Sequence, residues 1–434
     1  MNAERPGAHP AVYSAGALGA SMLLQTILLW AVYFYAPPSG ATRLRPEWMG
    51  LALAGGRIVN ALSNPPVAFW SDRLRTRWGR RRPFLAVGAP ALAVCFALLW
   101  IPPSLPPVPM FLYVLAVLIG FFFCFSFSMN PYAALLPDIT PGGRGRVVVA
   151  SWQAGASVGG VGIAMISSAW LIAHAGFGAM GAAIGAAALA MLWTVAAGVR
   201  EPAPAVGAAP PAFWREIGGV LRDPAFRVYV VSLSLLWIGT SMVNSAIVYV
   251  ITVLMGLPQN SVGVVLGVTF VCTLGAFPLL ARLTRTLGTP RMLRWTLAVA
   301  SVVIPLIGAI GLRGVPGAPA VQGFVLVVLA AAPLAGLLVL PNALLADIAE
   351  AGHERTGEGR EAMYYAVQGL ILNAASAGSS ALLGVLLALG DSPGHSLGLR
   401  LIPVVGGGCT LLALLAFLPF STGAARASRG APSR

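Results

Sequence analysis

Long apolar stretches recur from one end of this 434-residue chain to the other. A helix needs about 20 mostly apolar residues to cross a hydrocarbon core of about 30 Å. Twelve stretches of this kind lie at 11–36, 48–70, 84–101, 109–136, 147–174, 177–198, 226–255, 260–281, 292–312, 319–345, 362–389 and 397–419. In hydrocarbon, backbone polar groups must be satisfied within the segment itself, so each stretch is predicted to be a helix. The sequence therefore predicts an all-α membrane protein with twelve transmembrane helices.

The arginines are distributed unevenly over the segments that connect these helices. With the N-terminus inside, 22 of the 27 basic residues, all arginine, fall in inside segments and four fall in outside segments. The remaining one, Arg57, lies within the second helix. Positively charged loops tend to stay on the cytoplasmic side during insertion. We therefore expect a multi-pass protein of the inner or plasma membrane with both termini in the cytoplasm.

One long polar connector, rich in proline and charge, separates the sixth stretch from the seventh. It places the boundary between two halves of six helices each. The predicted domains are an N-terminal half at 1–199, a cytoplasmic connecting loop at 200–225, a C-terminal half at 226–420 and a disordered cytoplasmic tail at 421–434.

The net charge of +14 raises the question of a nucleic-acid partner. Binding to nucleic acid needs a broad exposed basic face, whereas here the arginines form short runs between apolar stretches. With 58% hydrophobic residues and only 9% charged ones, the expected partners are the lipid bilayer and a small-molecule substrate. We expect a monomer that binds no nucleic acid. The four cysteines show no paired spacing, and no nucleotide loop, metal cluster or nucleophile triad is evident, so we expect no cofactor and no enzymatic activity.

The two halves share a weak internal repeat. At an offset of 209 residues, ALLPDI at 134–139 matches ALLADI at 343–348. The same offset aligns the loop after the second helix with the loop after the eighth, at Arg73, Leu74, Gly79 and Arg82 and at Arg282, Leu283, Gly288 and Arg291. Two matches at one offset indicate two parallel copies, the internal symmetry found in alternating-access transporters.

Several motifs resemble the major facilitator superfamily and, within it, the glycoside–pentoside–hexuronide cation symporters and the sucrose carriers. They are SDRLRTRWGRRRPF from residue 71, NPYAALLPDI from residue 130, DPAFRVYVVSLSLLW from residue 223 and LLADIAEAGHERTGEGREAMYYAVQGL from residue 344. The resemblance covers most of the chain and implies the major facilitator fold with transport by alternating access. It also implies that Asp72, Arg73, Arg80 and Arg81 form a cytoplasmic gating latch between the halves. The alternative is that these arginines only fix topology.

The chain departs from the family where the family binds its coupling cation. The resemblance implies two helix-2 aspartates, and this sequence has Asn60 and Asn64 in their places. Likewise a helix-5 arginine is replaced by Gln153 and a helix-11 lysine by Asn373. All thirteen acidic residues lie in loops or at predicted helix ends. Acids in the membrane interior are usually kept for ions or protons, so we expect that the family's sodium or proton site is not used.

The polar side chains left in the predicted cavity are neutral. The substrate-binding candidates are Gln25, Asn60, Asn64, Asn130, Trp152, Gln153, Trp237, Asn244, Tyr364, Gln368 and Asn373. Aromatic rings combined with amides suit a neutral hydroxylated solute, although any single asparagine can instead hold two helices together. Arg57 is either structural or a contact to substrate or gate. Three functions stay open: a carrier for a neutral sugar-like solute, a carrier for an apolar or amphipathic compound, and a transporter-derived sensor or assembly factor.

Overall fold

The computed structural model describes residues 9–39, 42–140, 143–199, 201, 218–312, 314–356 and 361–420. The predicted tail at 421–434 and most of the predicted connecting loop lie outside these residues.

Twelve long helices account for most of the described residues. Their bounds are α1 Pro10–Tyr35, α2 Pro46–Arg73, α3 Arg82–Trp100, α4 Pro107–Ile139, α5 143–175, α6 177–198, α7 Pro224–Tyr249, α8 Val262–Leu287, α9 Thr289–Leu306, α10 Pro319–Thr356, α11 Glu361–Ala388 and α12 Leu397–Phe417. A π-helical turn, Val250–Leu254, extends α7. The predicted all-α fold of twelve helices in two six-helix repeats is confirmed.

The helix ends follow local sequence chemistry. Proline occupies the first turn of α1, α2, α4 and α7, where its missing N–H costs nothing. Asp223 caps α7 by accepting a hydrogen bond from the backbone N–H of Ala225 at 3.0 Å. A single residue, Gly176, separates α5 from α6; its φ of +81° is outside the helical region and is favourable only for glycine.

The sequence prediction for the tenth helix, which ended at 345, was too short. In the structure α10 continues to Thr356 through DIAEAGHERT. An apolar-length criterion stops at the first charges, but Ala and Glu are good helix formers, so the helix continues beyond its apolar part. Asp347 and Glu350 consequently lie on this helical extension.

Ten helical segments within the described residues are long and apolar enough to cross a membrane. One of them, 145–198, contains both α5 and α6, so the ten segments hold eleven of the twelve helices. The remaining helix, α2, is less apolar because it carries Arg57, Asn60, Asn64 and two prolines.

Contacts divide the chain into two compact units: unit 1 comprises 1–209 and 259–264, and unit 2 comprises 210–258 and 265–434. In unit 1, α1 packs on α5 and α6, and α3 packs on α4 and α6. In unit 2, α7 packs on α11 and α12, and α9 packs on α10 and α12. These four pairings are the same after adding six to each helix number, as expected for a repeat. The described residues of α8 and α10 do not repeat the extensive packing of α2 on α4.

Two glycine pairs, Gly155 with Gly159 and Gly181 with Gly185, have the four-residue spacing that favours close helix packing in membranes, so the sequence predicts packing at both. A Cβ at Gly181 would meet the Trp100 ring, and one at Gly185 would lie 3.4 Å from Phe96, so this pair does allow α6 to approach α3. A Cβ at Gly155 or Gly159 would meet nothing within 4 Å, so packing was the wrong interpretation for that pair. On α5 it is Gly160 that packs, directly against the Leu18 carbonyl of α1.

Candidate functional site

A neutral hydrogen-bonded cluster joins α2 to α4. The Asn64 side-chain oxygen Oδ1 accepts hydrogen bonds from Ser126 Oγ at 2.7 Å and from Asn130 Nδ2 at 3.0 Å. Asn130 Nδ2 also lies 2.9 Å from Ser126 Oγ. An amide oxygen has two lone pairs, and both of those on Asn64 Oδ1 are occupied here. The cluster therefore has no free Asn64 oxygen to offer to a cation.

The same local sequence surrounds both asparagines of this cluster. In each helix the asparagine is followed directly by proline, at Pro65 in α2 and Pro131 in α4. A proline inside a helix removes one backbone hydrogen bond, and nearby polar side chains commonly compensate in a membrane protein. Ser126 was missed by sequence reasoning, although its spacing of four residues before Asn130 puts both on one face of α4.

Two other predicted amides are buried in unit 1. Asn60 on α2 is 9% exposed, and Gln25 on α1 is 5% exposed. The Gln25 Nε2 group finds no hydrogen-bond partner among the described residues. A buried amide without a partner costs free energy unless something else binds it, which makes Gln25 a better candidate for ligand contact than Asn64.

A depression of about 620 Å³ lies between α1 and α5. Its lining consists of Ala11, Ser14, Ala15 and Leu18 from α1 and Ser151, Trp152, Gly155 and Ala156 from α5. Trp152 is 54% exposed and supplies a large aromatic surface, whereas the predicted neighbour Gln153 is half-buried and does not line the depression. The lining offers one ring, two hydroxyls and otherwise small apolar groups.

In unit 2, three of the five candidate residues make contacts that stabilise helices. Tyr364 on α11 donates a hydrogen bond to Asp223 Oδ2 at 3.0 Å and so joins α11 to the start of α7. Trp237 Nε1 donates to Ser376 Oγ at 2.8 Å, although its ring stays 38% exposed. Asn373 Nδ2 donates to the Gly369 carbonyl of its own helix at 3.0 Å.

The other two unit 2 candidates differ in burial. Gln368 is buried, and Asn244 on α7 is half-buried.

A charge cluster forms where the loop 74–81 meets the ends of α2 and α4. Arg81 binds Asp138 at 2.6 Å and Asp72 at 3.1 Å, and Arg80 binds Asp138 at 3.0 Å. Glu201 Oε2 accepts the backbone N–H groups of Arg80 at 2.7 Å and Arg81 at 3.0 Å. Three acids thus hold two arginines and fix the loop on unit 1.

Arg73 takes no part in this cluster, although the sequence prediction grouped it with Arg80 and Arg81. Its guanidinium carbon lies 3.6 Å from the centroid of the Phe69 ring on the same helix, a cation–π contact. Sequence reasoning also missed Asp138 and Glu201 as partners. They are far from the loop in sequence, so only the fold brings them to it.

Arg57 lies in the middle of α2 on the face that also carries Asn60 and Asn64, three and seven residues further on. It makes no hydrogen bond or ion pair with any residue that the structure describes, and its Nε is buried. Its one described contact is a distant one, 6.0 Å from guanidinium carbon to the Phe122 ring centroid. A charged group at this depth costs about 2.5–3.5 kcal/mol on insertion scales.

Two six-helix repeats of apolar helices, most of them long enough to span a bilayer, define a multi-pass membrane protein. Residues 12–398 match the family model described as MFS/sugar transport protein. The chain therefore belongs to that family of transporters and is not an enzyme. The predicted resemblance to the glycoside–pentoside–hexuronide cation symporters is confirmed.

Similar proteins carry related descriptions. An uncharacterized symporter of Synechocystis, sll1374, is 26% identical over 197 residues, which is 42% of this chain and 35% of the relative. The putative glycoside/cation symporter YagG of Escherichia coli is 27% identical over 141 residues, 32% of this chain and 30% of the relative. The alignments thus span about a third of the length of these relatives.

Solved structures with the same fold extend over nearly the whole chain. The nucleoside transporter NupG has a TM-score of 0.69 at 11% identity and covers 95% of this chain and 99% of its own. A bacterial homologue of the lysosomal transporter Spinster, in an inward-facing and unoccupied conformation, has a TM-score of 0.66 at 12% identity, with 95% coverage of both chains. At these identities the likeness shows the fold alone.

Proposed function

We propose that this protein carries a small hydroxylated organic solute across the membrane by alternating access, without coupling to sodium or protons. The observation that supports this most directly is the saturated Asn64 oxygen. A sodium site needs oxygen ligands and a neutralising charge, and Asn64 supplies neither once Ser126 and Asn130 are bound to it. An asparagine also cannot take up a proton.

The positions of the acids support the same conclusion. On unit 1 the described carboxylates are Glu47, Asp72, Asp138 and Glu201. Glu47 lies in the first turn of α2 and pairs with Arg45 at 3.8 Å, and the others belong to the charge cluster. None of them lies near the middle of a helix.

On unit 1, a buried amide and an exposed ring support a hydroxylated solute. The Gln25 amide without a described partner can form hydrogen bonds, and the exposed Trp152 ring can stack on the solute. The sequence prediction specified a neutral solute. Whether the transported solute carries a charge depends on the role of Arg57.

A second candidate is an apolar or amphipathic solute. The lining of the depression between α1 and α5 favours it, because beside Trp152 and two serines all lining residues are Ala, Gly or Leu. No observation supports the third alternative, a sensor that moves nothing.

The orientation belongs to the proposal as well. With both termini in the cytoplasm, the 22 inside arginines include the loop 74–81, and the charge cluster faces the cytoplasm. A C-terminal green fluorescent protein fusion should fluoresce, and a C-terminal alkaline phosphatase fusion should be inactive. The reverse result would overturn this orientation.

Thermal unfolding of the purified protein in sodium chloride and in choline chloride tests the absence of a sodium site. The wild type should melt at the same temperature in both salts. The Asn60→Asp/Asn64→Asp double variant restores two carboxylates and should gain sodium-dependent stabilisation. Asn373→Asp, which places one carboxylate in unit 2, is the matched control and should gain none. Sodium-dependent stabilisation of the wild type would contradict the proposal.

A further inference from the structure

Two described arginines, Arg400 and Arg43, have a structural role. Arg400 donates from Nη1 to the carbonyls of Gly308 at 2.7 Å and Ile310 at 2.8 Å. Arg43 donates to the Phe34 carbonyl at 2.8 Å and lies over the same residue's ring. In each case the guanidinium donates to at least one backbone carbonyl. Arg57 has no such contact among the described residues, so a purely structural role leaves its position unexplained.

No carboxylate of the described part of unit 1 can neutralise Arg57. Along α2, Glu47 is ten residues away and Asp72 fifteen, which at ~1.5 Å per residue is about 15 and 22 Å. Asp138 is sixteen residues beyond Phe122 on α4, about 24 Å along that helix. Helices α1, α3, α5 and α6 contain no acidic residue.

Depth distinguishes Arg57 from another arginine without a described partner. Arg294 also makes no hydrogen bond with a described residue, but it lies five residues after the start of α9. A long side chain that close to a helix end can extend to the membrane surface. Arg57 is eleven residues from the start of α2 and sixteen from its end, about 17 and 24 Å, so its side chain cannot extend past either end of the helix.

The chemistry of the side chain indicates what would neutralise it. A guanidinium presents a rigid fork of N–H donors that matches a carboxylate in two parallel hydrogen bonds. A solute bound there would also meet the face of α2 that carries Asn60. We propose that Arg57 binds a carboxylate of the transported solute, which is therefore a small hydroxylated organic monoanion and not a neutral sugar. This inference rests on the proposed function and adds the charge of the solute to it.

Matched pairs of acid and neutral compound test the inference by thermal unfolding of the purified protein. The pairs are gluconate and sorbitol, glucuronate and glucose, and lactate and propane-1,2-diol, with sodium chloride and sodium sulfate as inorganic controls. We expect at least one acid to raise the unfolding temperature while its neutral partner does not. The inference is overturned if no acid stabilises, if a neutral partner stabilises equally, or if chloride or sulfate does.

Variants of α2 then assign the effect to Arg57. Arg57→Gln should weaken binding of the stabilising acid at least tenfold, and Arg57→Lys, which keeps the charge but loses the fork, should weaken it less. Asn60→Asp places a carboxylate three residues from Arg57 on the same face of α2. It should also abolish binding, because this carboxylate would pair with Arg57 in place of the solute. Arg294→Gln is the control and should leave binding unchanged. Unchanged affinity in Arg57→Gln would contradict the inference, and if that variant fails to fold, Asn60→Asp decides.

Transport separates this inference from the proposed function. In proteoliposomes, uncoupled movement of a monoanion carries charge, so an inside-negative potential of about 60 mV should lower its equilibrium accumulation about tenfold. A solute that is neutral and uncoupled would keep the proposed function and refute the role of Arg57. An anion that binds through Arg57 but is driven by sodium would keep that role and refute the proposed function.

Discussion

Asn64 and Arg57 lie seven residues apart on one face of α2 and differ in what their polar atoms contact. The Asn64 oxygen is fully occupied by Ser126 and Asn130, whereas Arg57 has no hydrogen bond to a described residue. The sequence predicts both positions as polar and within the membrane. It cannot predict which of the two side chains has its hydrogen-bonding capacity filled, because that depends on which residue of α4 lies opposite each of them.

Neutralising Asp72 tests whether the charge cluster works as a gate. The Asp72 side chain is 40% exposed, and its carboxylate binds Arg81 at 3.1 Å. The buried Arg81 keeps its shorter ion pair with Asp138 when Asp72 is neutralised, so Asp72→Asn should change the free energy of unfolding by less than about 1 kcal/mol. Transport turnover should fall at least fivefold if the latch is needed. Glu47→Gln, which breaks the other described surface pair of unit 1, should leave turnover unchanged. Equal turnover in Asp72→Asn and wild type would show that the charge cluster does not act as a gate.

Glu201 should affect stability more than Asp72 does. Its side chain is 4% exposed, and one oxygen accepts both backbone N–H groups at Arg80 and Arg81. Losing hydrogen bonds to a charged acceptor costs about 1.5–3 kcal/mol each, and Glu201→Gln keeps an oxygen but loses the charge. We expect it to destabilise the protein by roughly 1–3 kcal/mol in denaturant unfolding. A melting curve identical to that of wild type would show that the loop does not depend on Glu201.

At the scale of helices, length and local chemistry were predictable and packing was not. Apolar length predicted all twelve helices, and proline in the first turn agrees with several starts. The end of α10 was missed because helical structure continues past the apolar part. The glycines that pack were only partly identified, since a glycine's neighbour is decided by the orientation of the opposite helix. Gly159 and Gly160 are adjacent in sequence, yet only Gly160 contacts α1.

That adjacent pair provides a direct test of the α1–α5 packing. A Cβ at Gly160 would clash with the Leu18 carbonyl and lie 3.0 Å from the Ser21 Cβ, and one at Gly159 would meet nothing within 4 Å. Overpacking of this kind typically costs about 1–3 kcal/mol. Gly160→Ala should therefore lower the stability of the protein by that amount, whereas Gly159→Ala should be neutral or slightly stabilising. Equal stability of the two variants would contradict the packing described for α5.

At the scale of the whole molecule, the repeat is the feature that the sequence predicted best. Two short matches at one offset of 209 residues indicated two copies of six helices, and four helix pairings of unit 1 recur in unit 2. The solute site was predicted less well. The sequence identifies Asn64, Tyr364 and Asn373 as polar, but in the fold the first two bond to side chains of other elements and Asn373 bonds to a carbonyl of its own helix. A polar residue in an apolar helix thus indicates a constraint without saying whether a ligand or another helix satisfies it.

Solute uptake into proteoliposomes under imposed ion gradients decides whether transport by this protein is uncoupled. The solute is the compound that stabilises the purified protein, and valinomycin with equal potassium on both sides holds the membrane potential at zero. The internal concentration should rise to the external one and stop there, whether a sodium gradient, a pH gradient or neither is imposed. Accumulation above the external concentration, driven by either ion, would contradict the account.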